Sequence, residues 1–171
     1  MIQISPACIE DAPAIAAIHI QAWQAAYKDI IAADYLAALS LEQRTTMWQQ
    51  KIAKGDSTLL VAKQDHALRG WLSYGPSRDQ DASAIEAEIR AIYVTSEAWS
   101  SGVGRALVLQ AKILLQASGF KTCSLWVFPQ NDRAIKFYTA AGFLHDGVAA
   151  KSFTLGSQTL QEIRFISPLS I

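Results

Sequence analysis

The chain has 171 residues, enough for one ordinary domain that buries a core of its own. Hydrophobic residues are 51% and charged ones 18%, which excludes a disordered or supercharged chain. Fifteen basic side chains balance fifteen acidic ones, so no global field recruits nucleic acid or an anionic membrane. An anionic ligand must be held by local groups, such as backbone amides and one or two arginines. The opening MIQISPACIED lacks the basic segment and apolar run of a secretion signal, and no apolar stretch approaches bilayer-spanning length. A single cytoplasmic domain over 1–171 is expected. Cys8 and Cys123 have no metal-like spacing and are expected to be reduced, packed thiols.

A short strand, IQIS, comes first. A helix follows to about Lys28, with Asp11 as its cap and Pro13 in its first turn. Ser40-Leu-Glu-Gln43 fits a capping box and opens a second helix that stops near Gly55. STLLVAK (57–63) and LRGWLSYG (68–75) read as two strands of a hairpin, and SRDQDAS (77–83) as one polar loop. IEAEIRAIYV (85–94) is a strand, and SSGVGRALVLQAKILLQASG (100–119) a helix with Val103, Leu107, Gln110 or Ala111, Leu114 and Ser118 at helical spacing. SLWVF (124–128) is a strand, NDRAIKFYTAAG (131–142) a helix, and the remainder a hairpin turning near Gly156. Strand–helix–strand from 85 to 128 predicts two parallel strands joined by a right-handed crossover, and the flanking hairpins make the sheet mixed.

The segment from Trp99 to Leu107 joins a strand to a helix, with glycines at 102 and 104. Amides exposed ahead of intrahelical bonding, with no Cβ in the way, suit a phosphate as well as they suit a plain tight turn. A Rossmann site is disfavoured because its third glycine would fall on Leu107, and no Gly-Lys-Ser/Thr follows for a Walker loop.

IYVTSEAWSSGVGRAL resembles the acetyl-CoA pyrophosphate loop of GNAT N-acetyltransferases, whose usual form is Gln/Arg-x-x-Gly-x-Gly/Ala after a strand ending in Tyr-Val. Trp99 stands where Gln or Arg is usual. LWVFPQNDRAIKFYTAAGF is similar to the family's downstream signature, N-x-x-A-x-x-F-Y-x-x-x-G-F, at every fixed position, and the likeness extends over essentially the whole chain. The resemblance implies an α/β GNAT fold: a mixed, twisted sheet split by a V-shaped cofactor cleft between strands 85–94 and 122–128, with helices on both faces. It implies acetyl-CoA as co-substrate, no metal, and acetyl transfer to a primary amine of a small molecule or peptide by direct attack in a ternary complex.

By the same resemblance, Gly102, Val103, Gly104, Arg105 and Ala106 hold the pyrophosphate through backbone amides. Ile92 and Tyr93 lie along the pantetheine, the Val94 amide meets the thioester oxygen, and Asn131 and Arg133 touch the CoA arm. Tyr138 protonates the departing thiolate. An Asn N-cap and a half-buried Tyr would explain Asn131 and Tyr138 without any ligand. Glu88 is the expected general base and part of the acceptor site, because a strand carboxylate a few residues before Tyr-Val often serves so; an exposed or Arg-paired Glu, or a base at Glu86 or water, is the alternative. Glu86, Glu88, Arg90, Ile92 and Val94 share strand parity, unless the bulge usual in this family shifts it. Trp126 occupies the place of a glutamate used by ribosomal N-terminal acetyltransferases, which speaks against that acceptor. Trp23 and Tyr27, one turn apart, are expected to wall the acceptor pocket or to pack in the core. His19, Trp71, Tyr74 and Cys123 are assigned to packing, and no Cys/His pair suggests an acyl-enzyme. A non-catalytic acyl-CoA sensor is the rival reading. Neither the acceptor nor the oligomeric state, a homodimer among the options, is legible.

Overall fold

A computed structural model describes residues 1–55 and 58–169. The elements run β1 (Ile2–Pro6), α1 (Ala12–Ala26), α2 (Ala33–Ala37), α3 (Leu41–Lys54), β2 (Thr58–Gln64), β3 (Ala67–Pro76) and β4 (Glu86–Val94). After these come α4 (Val103–Ala117), β5 (Thr122–Val127), α5 (Asp132–Ala140), β6 (Leu144–His145), β7 (Lys151–Leu155) and β8 (Gln158–Pro168). Ser57, expected to open β2, lies outside the described residues. The short α2 and β6 carry too few periodic positions to be read from sequence. No helix among the described residues is long and apolar enough to cross a membrane.

Two compact units divide the chain. The first contains Met1–Tyr74 and Ala91–Ala111, the second Gly75–Arg90 and the chain from Lys112 onward. In the first, the strand order is β1-β2-β3-β4, with β1 and β3 both antiparallel to β2. The β2–β3 turn places Asp65 and His66 at φ 52° and 65°, the left-handed pair that a two-residue hairpin requires. One face of β2 and β3 is covered by α1 and α3: Ile15, Ala16, Ile18, Trp48, Leu59, Val61 and Trp71 form a single buried cluster. Trp71 donates its indole N–H to the Ile15 carbonyl at 3.1 Å, which satisfies the polar atom of the largest core side chain.

The end of β4 and the first residue of α4 come so close to β3 that it needs a glycine there. A Cβ at Gly70 would stand 2.9 Å from the Tyr93 carbonyl oxygen, 3.0 Å from a Val94 methyl and 3.2 Å from a Val103 methyl. Gly70→Ala is therefore expected to cost about 1–3 kcal/mol by overpacking, since one of the blocking atoms is backbone. Urea unfolding measures this directly, and unchanged stability would show that β4 can retreat without cost.

In the second unit the order is β4-β5-β8-β6, with β7 paired to β8 in a hairpin that turns at Gly156. The expected parallel pair is present: β4 and β5 share the rungs Glu86–Thr122, Ala87–Cys123 and Glu88–Ser124. Both strands run on past these rungs, β4 to Val94 and β5 to Val127. Lys112 of α4 donates to the Ala141 carbonyl at 2.7 Å and to Ser167 Oγ at 2.8 Å, which ties that helix to the end of α5 and to β8.

Several local expectations are met and others corrected. Ser40 Oγ accepts from the Gln43 amide at 3.3 Å, and Gly55 closes α3 at φ 68°. Asp11 precedes α1, but its carboxylate makes no cap bond there. It turns back to accept from the Cys8 amide at 3.0 Å and to pair with Lys63 at 2.9 Å. Cys8 is consequently exposed rather than packed, its thiol donating to Asp11 at 3.2 Å. Cys123 is buried as expected, and burial pushes its thiol up to about 12, far from a usable nucleophile. Along α4 the buried series is Val103, Leu107, Ala111 and Leu115, so Leu115 replaces Leu114 as the fourth core position.

Candidate active site

Helix α4 cannot begin at Ser100, because Ser100 and Gly102 sit at φ 61° and 92°, outside helical space. The chain thus turns sharply before Val103. The Ala106 amide donates to the Gly102 carbonyl at 2.9 Å, the first bond of the helix proper. The amides of Val103, Gly104 and Arg105 precede it in the first turn, where intrahelical acceptors do not reach. Ala106, expected among the phosphate-holding amides, is instead committed to the helix. An exposed turn with left-handed residues followed by first-turn amides is a backbone concavity suited to anions, so the residues present fit a pyrophosphate. Arg105 is exposed beside it.

Trp99 has a different task from the Gln or Arg usual at its position. Its indole N–H donates to the Val94 carbonyl at 2.9 Å and ties the loop back to the end of β4. The Ser101 hydroxyl donates to the Ala98 carbonyl at 2.6 Å and tightens the same turn. The Thr95 amide bonds the Arg69 carbonyl at 2.9 Å, which holds the strand end against β3. Ile92, Tyr93 and Val94 all belong to this first unit, as do Trp23 and Tyr27, whose rings meet edge-on at 5.6 Å.

Glu88, Asn131, Arg133 and Tyr138 belong to the second unit. Asn131 Oδ1 accepts from the Ala134 amide at 3.2 Å, so the N-cap role considered from sequence is real. Arg133 is exposed in the first turn of α5. Tyr138 is half-buried, its ring 5.3 Å from Phe137 and 6.1 Å from Phe143. Its backbone carbonyl accepts from the Phe143 amide at 3.0 Å, fixing the end of α5.

Glu88 is buried at 4% exposure and is held by Arg78. The Arg78 Nη2 and Nε donate to its two oxygens at 2.6 and 2.9 Å, and the Arg78 amide adds a third contact at 3.3 Å. Burial pushes the carboxyl up, but the bonds and charge of Arg78 outweigh it and hold the group below the ordinary carboxylate range. That is the Arg-paired state. A carboxylate so held remains charged and is a poor proton acceptor. Because its pKa is depressed in the folded state, the pair stabilises the protein above the ordinary carboxylate range and loses that contribution as pH falls through the folded value. Arg78→Ala removes the opposing charge and leaves the burial, so the Glu88 carboxyl should titrate above its ordinary value. A carbon-detected NMR titration reads that shift, and an unmoved resonance would refute the assigned cause.

Two further carboxyls share this region. Glu86 is pushed up by burial, against the pull of Arg164, and its Oε1 is buried without a hydrogen-bond partner. Glu162, which sequence reasoning passed over, is likewise pushed up by burial, and the charge of Glu88 adds to the effect. The sequence carried no signal for it, since Arg164 at the same parity reads as an exposed charge. Leu160, Glu162 and Arg164 share strand parity, and both flanking side chains are buried, so an acid lies on the inward face of β8. The polar loop before β4 is also fixed. Asp79 accepts from the Trp126 indole N–H at 3.0 Å, and Asp81 takes both terminal nitrogens of Arg164 at 2.8 and 2.9 Å.

The acetyltransferase (GNAT) family model matches residues 22–143. An uncharacterized N-acetyltransferase of Bacillus subtilis, YuaI, is 31% identical over 164 residues, 95% of this chain and 91% of that one. The spermidine N(1)-acetyltransferase of Thermoplasma acidophilum is 24% identical over 159 residues, 90% of this chain and 95% of that one. Among solved structures, the PaiA N-acetyltransferase of Thermoplasma acidophilum in complex with coenzyme A superposes with a TM-score of 0.76 at 22% identity, covering 98% of this chain and 99% of that chain. The chain belongs to the GNAT family of acetyltransferases. Its fold is the mixed α/β one of the solved N-acetyltransferases it superposes on.

Proposed function

We propose that the protein transfers an acetyl group from acetyl-CoA to a primary amine by direct attack within a ternary complex. The observation that carries this reading is the strand-to-helix turn, with Gly102 at φ 92° and the first-turn amides of Val103, Gly104 and Arg105 presented together. Those amides hold the pyrophosphate. Main-chain groups around Ile92 and Tyr93, beyond the last rung shared with β5, pair with the pantetheine as an added strand would. The Val94 amide polarises the thioester oxygen, and Asn131 and Arg133 steady the CoA arm.

Acetyl-CoA supplies a thioester already activated enough for an amine to attack. The amine nitrogen bonds the carbonyl carbon, the carbon–sulfur bond breaks, and the phenol of Tyr138 gives its proton to the sulfur. The phenolate recovers that proton from the new amide nitrogen through solvent. An alkylamine arrives protonated, because its pKa is about 10, and must lose a proton first. Water takes it, while Glu88, fixed by Arg78, orients the acceptor. Trp23 and Tyr27 wall the acceptor side.

Glu88→Gln tests that division of labour. Turnover efficiency is expected to fall at least tenfold and by the same factor from pH 7 to pH 9.5, because an orienting contact has been lost. Recovery at high pH, where free amine becomes abundant, would instead make Glu88 the base. The reaction class itself is tested by following CoA release across amino acids, polyamines, aminoglycosides and peptides. Tight acetyl-CoA binding with no acceptor in any class would turn the reading to a sensor.

A further inference from the structure

Helix α1 carries His19 and Trp23 one turn apart, and both enter an aromatic cage of the first unit. The His19 ring stacks on Tyr93 at 5.2 Å and meets Trp23, Trp71 and Trp48 at 5.1, 5.8 and 5.9 Å. The Trp48 indole N–H donates to His19 Nδ1 at 3.3 Å, so Nδ1 is the unprotonated nitrogen and the ring proton sits on Nε2. Burial, helped by the charges of Arg44 and Lys51, pushes the His19 pKa down to about 3, and the ring stays neutral at working pH.

His19 is 7% exposed, and its Nε2 is buried with no hydrogen-bond partner. The Trp23 Nε1 is in the same condition. Both are donors that cannot accept, and buried donors are almost always paired. What completes them is an acceptor. The surrounding charge says which kind: the Arg44 guanidinium lies 5.7 Å from the Trp23 ring and the Lys51 ammonium 4.9 Å from the Trp48 ring. Those two indoles already have cation partners, so an incoming ammonium would find repulsion where an oxyanion finds two donors and two positive charges.

Resting on the amine-acceptor reading above, we infer that His19 Nε2–H and Trp23 Nε1–H bind a carboxylate of the acceptor, making the substrate class amino acids rather than polyamines. The α-amino group is the nucleophile, and the cage selects it by gripping the adjacent oxygens.

The test compares matched acceptors: L-leucine with isopentylamine, L-phenylalanine with phenethylamine, L-lysine with cadaverine, and spermidine alone. The wild type should favour the carboxylate-bearing member of at least one pair by about tenfold or more in kcat/KM. Trp23→Phe keeps the ring shape and removes only the N–H. It should collapse that preference through KM, raising KM for the carboxylate-bearing member by about tenfold more than for its decarboxylated partner. His19→Phe should do the same, but it also breaks the bond to Trp48, so the Trp23 variant decides. No preference in any pair, a preference for spermidine, or an equal loss for both members would overturn the inference and leave the two donors to a buried water. If no amine is acetylated, the catalytic reading fails separately. Tryptophan fluorescence titrated with L-leucine, L-phenylalanine and L-lysine then decides the inference: saturation that Trp23→Phe abolishes upholds it, and no binding overturns it.

Discussion

Tyr138→Phe is expected to lower kcat by one to three orders of magnitude while the dissociation constant for acetyl-CoA changes less than about twofold. In the proposed reaction the phenol delivers a proton to a departing thiolate, and general acids contribute about two to four orders of magnitude. The variant keeps the ring, which packs near Phe137 and Phe143 at the end of α5, so binding and fold should survive. Steady-state kinetics with CoA release, beside calorimetry with acetyl-CoA, separates the two quantities. Full turnover in the variant would reassign the acid to water. A matching loss of binding would mean that the hydroxyl holds the cofactor instead of serving the chemistry.

Gly104→Val is expected to weaken acetyl-CoA by at least tenfold, about 1.4 kcal/mol, without unfolding the chain. Gly104 is absent from the residues with positive φ, so a valine can adopt its backbone conformation. The penalty falls on the ligand, because a branched side chain in the first turn of α4 stands where phosphate must reach the amides. Gly102 would make a poorer probe: at φ 92° any side chain strains the turn itself, and lost binding could reflect lost geometry. Calorimetry checks the affinity and circular dichroism the fold. Unchanged affinity would remove the loop from the site, and NADH should show no comparable binding to the wild type.

What was legible in the sequence is what local chain chemistry controls. The turn before α4 is specified by two glycines and a following helix, and needs no distant partner to present its amides. Capping behaves alike: Ser40 bonds an amide three residues away, and Asn131 does so at the start of α5. The parallel β4–β5 pair followed from chain order, because a strand–helix–strand unit of this length has one favoured hand.

The tertiary structure decided everything that depends on who faces whom. Glu88 was an exposed carboxylate or an ion pair until Arg78, ten residues earlier, was placed on both its oxygens, and that placement makes it the ion pair. Asp11 satisfied every local rule for a helix cap, yet Lys63 draws its carboxylate away, and Cys8 comes to the surface with it. His19 looked like packing because its chemistry comes from Trp48, Trp71 and Tyr93, contributed by three other elements. Protonation and pairing are set by burial and by charges within a few ångströms, and sequence separation carries no record of either.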